Sequence, residues 1–401
     1  MTVYAIWPAF ASVGVVVLLA CLPVFGRAGF QSNGVGRVRT IDGARGFLAL
    51  AVVLHHGVIY YTFVRDGSWV VPPSRFYTLS GQVGVSCFFI ITGYLFWSKA
   101  VRARGSLDFV DLMLGRLFRL GPIYLLVVLI AIAINFVRSG AVLNIPFAEF
   151  MMQLAQNLAL GLFSLVDMNG VQGFSLTTAG VTWTLQYEWY FYLLLPLLSV
   201  FAINERVHLP FSLISFAAML FLASVGGRIE PVLCAFFAAG MACASLENKG
   251  LIVKLPPVLL SLVVVILWLV LYLAYETAYL PGVALLLGAS FYFILAGASI
   301  FGLLLTRPSI RLGELSYDIY LLQGIILYLA FAMPSVRSFA LASDINHWIV
   351  LSMVMVVLLF VALVAHLLVE RPGVEIGNRL RAMRQVNSSH PDRLATSLTQ
   401  P

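Results

Sequence analysis

Arg45 and His56, eleven residues apart in Ile41-Asp42-Gly43-Ala44-Arg45 through His55-His56, are the residues whose types and spacing point most directly to chemistry. At about 100° per residue, eleven steps return to within roughly 20° of the start, so both project from one helix face. Roughly 16 Å separates them along the axis. An imidazole suits proton removal from a hydroxyl near neutral pH. A guanidinium keeps its charge, and its fork of donors fits phosphate oxygens. His55 points about 100° away. The competing reading of His56 is a histidine hydrogen-bonded to a neighbouring helix for packing alone.

Three further stretches carry groups of interest. Arg116 and Arg119 share a helix face at i, i+3 spacing. They could clamp a pyrophosphate, or serve as an ordinary charged anchor at a membrane surface. Glu188 lies in Thr182-Trp183-Thr184-Leu185-Gln186-Tyr187-Glu188-Trp189-Tyr190-Phe191-Tyr192 with no neighbouring cation in sequence. A buried carboxylate must find a partner or take up a proton. It is a candidate to orient His56, to contact an acceptor, or to tie two helices together. The small residues Gly81, Gly84, Ser86 and Gly93 let backbones approach closely. Asp318 reads as structural, and Glu370-Arg371-Pro372 as a helix stop with a charge pair.

These groups must be positioned by membrane helices. The 401 residues are 61% hydrophobic and 10% charged, with mean hydropathy +0.98. Soluble domains run near 45–50% apolar and about 25% charged, so lipid is the solvent for most of this chain. Hydropathy predicts eleven spans, near 4–25, 45–63, 80–97, 117–137, 183–203, 208–224, 231–246, 257–275, 285–305, 315–332 and 348–368. Unbroken apolar runs of this length are helical, which excludes sheet as the main architecture. Residues 150–166 are short and carry Gln153, Gln156 and Asn157, so they fall in a long loop, 138–182, re-entrant or lying at the interface. Leu18-Leu19-Ala20-Cys21 faintly resembles a lipoprotein cleavage site, but the arginines follow the apolar stretch, so an uncleaved anchor is expected.

Nineteen of the 24 Lys and Arg residues fall on one side of this topology, among them Arg27, Arg37, Arg39, Arg45, Lys99, Arg116 and Arg393. The other side holds Arg65, Arg75, Arg138, Arg228 and Arg337. The richer side is expected to be cytoplasmic, with the N-terminus outside and the C-terminus inside. The net charge of +7 is this orientation code, not a nucleic-acid surface. Cys21, Cys87, Cys234 and Cys243 lie in apolar runs without metal spacing, and no metal is expected. The expected division is an N-terminal helix and linker (1–39), a membrane domain (40–372) and a polar cytoplasmic tail (373–401). That tail, with Asn387-Ser388-Ser389-His390-Pro391, reads as disordered from about 375 and is too short for a second domain.

Taken together these segments resemble the membrane-bound acyltransferase-3 family over about residues 40–372. The Ile-Asp-Gly-x-Arg opening with a His eleven residues after the Arg matches Arg45 and His56. Phe-Phe-x-Ile-x-Gly-Tyr-Leu matches 88–95, and Arg-x-x-Arg matches Arg116 and Arg119. Thr-Trp-Ser-Leu-x-x-Glu-x-x-Phe-Tyr resembles 182–192, with Thr184 in place of Ser. Ser-Tyr-x-Ile-Tyr-Leu-Leu-His resembles 316–323, and Glu-Arg-Pro stands at 370–372. The family's last His of the Ser-Tyr segment is Gln323 here. A glutamine cannot exchange a proton near pH 7, so its expected role is acceptor binding or helix contact.

The resemblance implies an all-α bundle of ten transmembrane helices, to which residues 4–25 add one. It implies transfer of an acyl group, most often acetyl, from cytoplasmic acyl-CoA to a sugar hydroxyl on the far side of a bacterial inner membrane. No bound cofactor is expected; acyl-CoA is the donor substrate. The acceptor would be a lipid-linked or surface glycan, such as an O-antigen repeat, an exopolysaccharide or a periplasmic glucan. His56 would deprotonate the hydroxyl or carry the acyl group, with Arg45 and Glu188 beside it. Arg116, Arg119, Asp42, Trp183 and Gln323 would contact substrate. The rival is a proton-coupled glycolipid transporter or flippase with His56 and Glu188 as a relay, against which stands the absence of any visible internal repeat.

Overall fold

A computed structural model describes residues 2–27 and 38–389, so Arg37, Arg393 and His390-Pro391 lie outside the described residues. In chain order the helices are α1 (Trp7–Leu19), α2 (Pro23–Arg27), α3 (Arg39–Asp66), α4 (Arg75–Arg102), α5 (Phe109–Arg138), α6 (Phe147–Asn157), α7 (Trp183–Ser199) and α8 (His208–Gly226). They continue as α9 (Glu230–Asn248), α10 (Pro257–Ala274), α11 (Pro281–Leu295), α12 (Arg307–Glu314), α13 (Ser316–Ala332), α14 (Pro334–Ala342), α15 (Asp344–Ala365) and α16 (Arg371–Ser389). No strand occurs among the described residues.

Among the described residues, seven helical segments are long and apolar enough to cross a membrane, or eight if α12 and α13, bent by 65°, form one span. Each of the eleven predicted segments contains a helix, but α1 (13 residues), α11 (15), α7 (17) and α13 (17) are shorter than the rest. The expected count of ten plus one is therefore not confirmed. Residues 150–166 do not form a span. Helix α6 has 11 residues, and the chain after it is tied down locally. Asn157 exchanges hydrogen bonds with Val166, and the Asn169 amide donates to Gln153 Oε1 at 3.0 Å.

The helices differ in how much of them the protein itself covers. The apolar window of α4 is 78% buried, whereas that of α8 is 6% and that of α10 is 22%. Helices apolar on every side need an apolar solvent on the uncovered faces, and α8 and α10 present theirs to lipid. Helix α4 is central because its glycines admit neighbours. A Cβ on Gly93 would collide with the Phe237 carbonyl of α9, and one on Gly240 with the Ile90 carbonyl of α4. On α3, Gly43 and Gly46 bring the Ile-Asp-Gly-Ala-Arg-Gly segment against Leu304 and Leu312.

Two expectations for the C-terminal region are corrected. The chain does not stop at Glu370-Arg371-Pro372: a π-helical turn, His366–Glu370, leads directly into α16. Pro372 lies at the junction of the π-helical turn and α16 and does not interrupt the helix, which runs on to Ser389. Nor do residues 375–389 lie disordered, since they are helical. Arg381 forms a forked pair with Asp111 at 2.8 and 2.7 Å, and Arg384 reaches Asp108 at 2.7 Å. Gly373 and Gly377 let α16 lie against Pro122 and Phe118. The basic residues of α16 thus find acidic partners on α5.

Ion pairs mark the two ends of the bundle. One end carries Arg104–Glu205, Arg381–Asp111 and Arg384–Asp108. The other carries Arg65–Asp66, Arg75–Glu276 and Arg228–Glu230.

Candidate active site

Helices α3, α4, α5, α7 and α13 enclose a cavity of about 90 Å³. Arg45 enters it from α3, Arg116 and Arg119 from α5, and Glu188 and Tyr192 from α7. Three motifs far apart in sequence thus meet in one chamber. Glu188 is held from two sides: Tyr192, one turn on, donates to it at 2.6 Å, and Thr92 of α4 donates at 3.5 Å. Its carboxylate also lies in the field of Arg116, Arg45 and Arg119. Arg116 sits over the ring of Phe96, 4.6 Å from its centroid, and 6.0 Å from that of Tyr192. Three arginines against one glutamate on its lining make the chamber wall rich in guanidinium groups, which suit an anionic group.

His56 lies outside the lining of this chamber, further along α3. Its Nδ1 is 3.2 Å from Oε1 of Gln323, which is fully buried on α13. The orientation of the Gln323 amide follows from its other end, where Nε2 donates to the Tyr320 carbonyl at 2.8 Å. Oε1 is left as an acceptor, so His56 Nδ1 is the protonated nitrogen, and in a neutral ring Nε2 carries the lone pair. The ring also stacks near Trp69, with centroids 6.2 Å apart. His55 is turned away and pairs with the Tyr77 carbonyl at 2.9 Å. Gly81 makes room for the His55 ring, so this glycine of α4 shapes the histidine pair.

The structure distributes the remaining expected residues unevenly. Glu188 and His56 do not pair: the glutamate bonds to Tyr192 and Thr92, the histidine to Gln323. Gln323 has both ends of its amide engaged inside the protein, which makes it a partner of His56 and not a surface for an acceptor. Asp42 is buried where α3 meets α12, its carbonyl against Gly313. Trp183 packs on Phe89 and Tyr187, with centroids 6.4 and 5.7 Å away, and only its neighbours Thr184 and Leu185 line the chamber.

A second polar cluster adjoins the chamber and goes beyond the sequence reading. His366 Nδ1 is 2.7 Å from Glu370 and 3.4 Å from Asp318, and Arg119 reaches Glu370 at 3.8 Å. Asp318, His366 and Glu370 could together hold a metal ion, their ligand atoms lying within 4.8 Å of one another. Arg119 already brings a positive charge to the same carboxylate, so the cluster can be balanced within the protein. The i, i+4 spacings of Glu188–Tyr192 and His366–Glu370 are legible in sequence. The approach of Asp318 to His366 is not, because it depends on how α13 meets α15.

A family model described as an acyltransferase domain matches residues 38–367, most of the chain. Comparison with curated proteins and with solved structures gives no match.

Proposed function

This chain belongs to the acyltransferase-3 family and is a multi-pass membrane acyltransferase, and from that premise we propose that it moves an acetyl group from acyl-CoA to a sugar hydroxyl of a lipid-linked or surface glycan. The observation that carries the reading is the meeting of Arg45, Arg116, Arg119 and Glu188 in one chamber. Guanidinium groups match phosphate oxygens, and a CoA thioester carries phosphates at one end and the reactive carbonyl at the other. Its phosphates bind at the basic end, proposed to face the cytoplasm of an inner membrane with the N-terminus outside. The pantetheine arm then extends along α3 toward His56.

Nε2 of His56 accepts the proton of the sugar hydroxyl as its oxygen attacks the thioester carbonyl. The carbon–sulfur bond breaks, the sugar ester forms, and the imidazolium returns the proton to the CoA thiolate. Gln323 contributes by holding Nδ1–H in place through the transfer, since a ring free to exchange tautomers would present the wrong nitrogen part of the time.

The test is the alkali-labile acyl content of the host's surface glycan, comparing wild type with His56→Ala at matched membrane expression. Loss of the ester in the variant is expected, because a positioned general base contributes about 10²–10⁴-fold. An unchanged ester content would remove His56 from the chemistry. One observation favours the transporter reading, the 65° bend between α12 and α13, because transporters bind substrate at broken helices. A transporter leaves no ester on the glycan and does not depend on acyl-CoA.

A further inference from the structure

Outside the chamber, where α4 ends and α16 crosses α5, a groove of about 630 Å³ opens at the same end of the bundle. Phe96, Arg116 and Arg119 line both spaces, so they form a shared wall. Lys99 and Arg102 add to the groove's positive charge, while Arg381 on its wall is balanced by Asp111. Its acidic residues are committed elsewhere: Asp111 to Arg381 and Asp108 to Arg384, each at 2.7 Å. Arg102 lies 3.9 Å from Glu247, and Arg119 lies 3.8 Å from Glu370. Among the described residues, Lys99 and Arg116 have no carboxylate at ion-pair distance. Both instead sit over one ring, that of Phe96, at 5.4 and 4.6 Å from its centroid. Two cations gathered at one aromatic ring repel each other, and an anion bridging them removes that cost. Lys99 is exposed to a ligand approaching from outside.

We propose that this groove seats the phosphate-bearing half of the donor, with Lys99 as a phosphate ligand beside Arg116 and with α16 as the wall that bounds it. The inference rests on the reading of acyl-CoA as donor and extends the site beyond the Arg-x-x-Arg pair. An ammonium on a flexible stem supplies a point charge with three donors, which suits a phosphate of variable orientation. Helix α16 is held there by the Arg381–Asp111 fork, so the region expected to be a loose tail becomes part of the binding site.

The test uses the full chain in lipid nanodiscs with two donors: acetyl-CoA, and acetyl-N-acetylcysteamine, a thioester with no nucleotide or phosphate. Lys99→Gln is expected to raise the KM for acetyl-CoA about tenfold, the scale of one charge-assisted hydrogen bond. Lys99→Arg should recover most of that loss, and neither variant should change the KM for the short thioester. A Lys99→Gln enzyme with wild-type KM for acetyl-CoA, or with equal losses for both donors, overturns the assignment of Lys99. Absence of turnover by the wild type with either thioester would instead overturn the donor reading, and this assignment with it.

Discussion

The chamber around Glu188 and the surroundings of His56 are a few helical turns apart on the same helices, yet they are built on opposite electrostatic terms. The chamber concentrates formal charge: Arg45, Arg116 and Arg119 around one carboxylate. The His56 site holds no such cluster, with the Gln323 amide and the rings of His55 and Trp69 as its neighbours. The difference matches the two tasks proposed for these regions. Charges in a partly enclosed space attract and hold a polyanion, and they tolerate burial only beside one another. A group that must take and return a proton is better served by neutral partners that fix its geometry without committing its charge. On the proposed function, binding and proton transfer are separated along α3, at the two ends of the Arg45–His56 stripe.

Variants at the two ends should therefore fail in different kinetic parameters. Gln323→Leu removes the acceptor for His56 Nδ1–H while keeping the volume. It is expected to lower kcat by roughly 10–100-fold, the range for residues that orient a metal-bound histidine, with KM for acyl-CoA unchanged. Gln323→Glu keeps an acceptor and should retain more activity than Gln323→Leu; the reverse order would break the tautomer argument. Arg116→Ala should do the opposite, raising KM for acyl-CoA about tenfold with kcat held within a small factor. A fall in kcat alone would mean that the chamber acts on the reaction and not on donor binding. At the bottom of the scale, Ile214→Ala on lipid-facing α8 should leave both parameters within about twofold, because Ile214 is 67% exposed to lipid and touches neither region. A larger change there would assign α8 a part in catalysis.

Much of the membrane architecture was legible before any coordinates. Lipid as solvent, helical spans and the Arg45–His56 stripe all follow from quantities local to the chain: apolar run length, charge fraction and helical period. Arg116 and Arg119 were recognisable for the same reason, as two arginines one turn apart. Disorder is expected from about residue 375 because polarity alone predicts it when the partner is unknown, and over 375–389 the chain is helical instead. Asp108 and Asp111, which turn α16 into a docked helix, are more than 250 residues away in sequence.

The same limit governs the site. The sequence by itself determined which ionisable groups the membrane helices carry, and that Gln323 cannot replace a proton-exchanging histidine. Only the tertiary structure decided who meets whom between helices: Glu188 with Thr92, His56 with Gln323, Arg119 with Glu370. Helical period fixes the direction of a side chain within its own helix. The partner it faces is set by the rotation and depth of another helix, and those depend on packing at positions such as Gly93, Gly240 and Gly313.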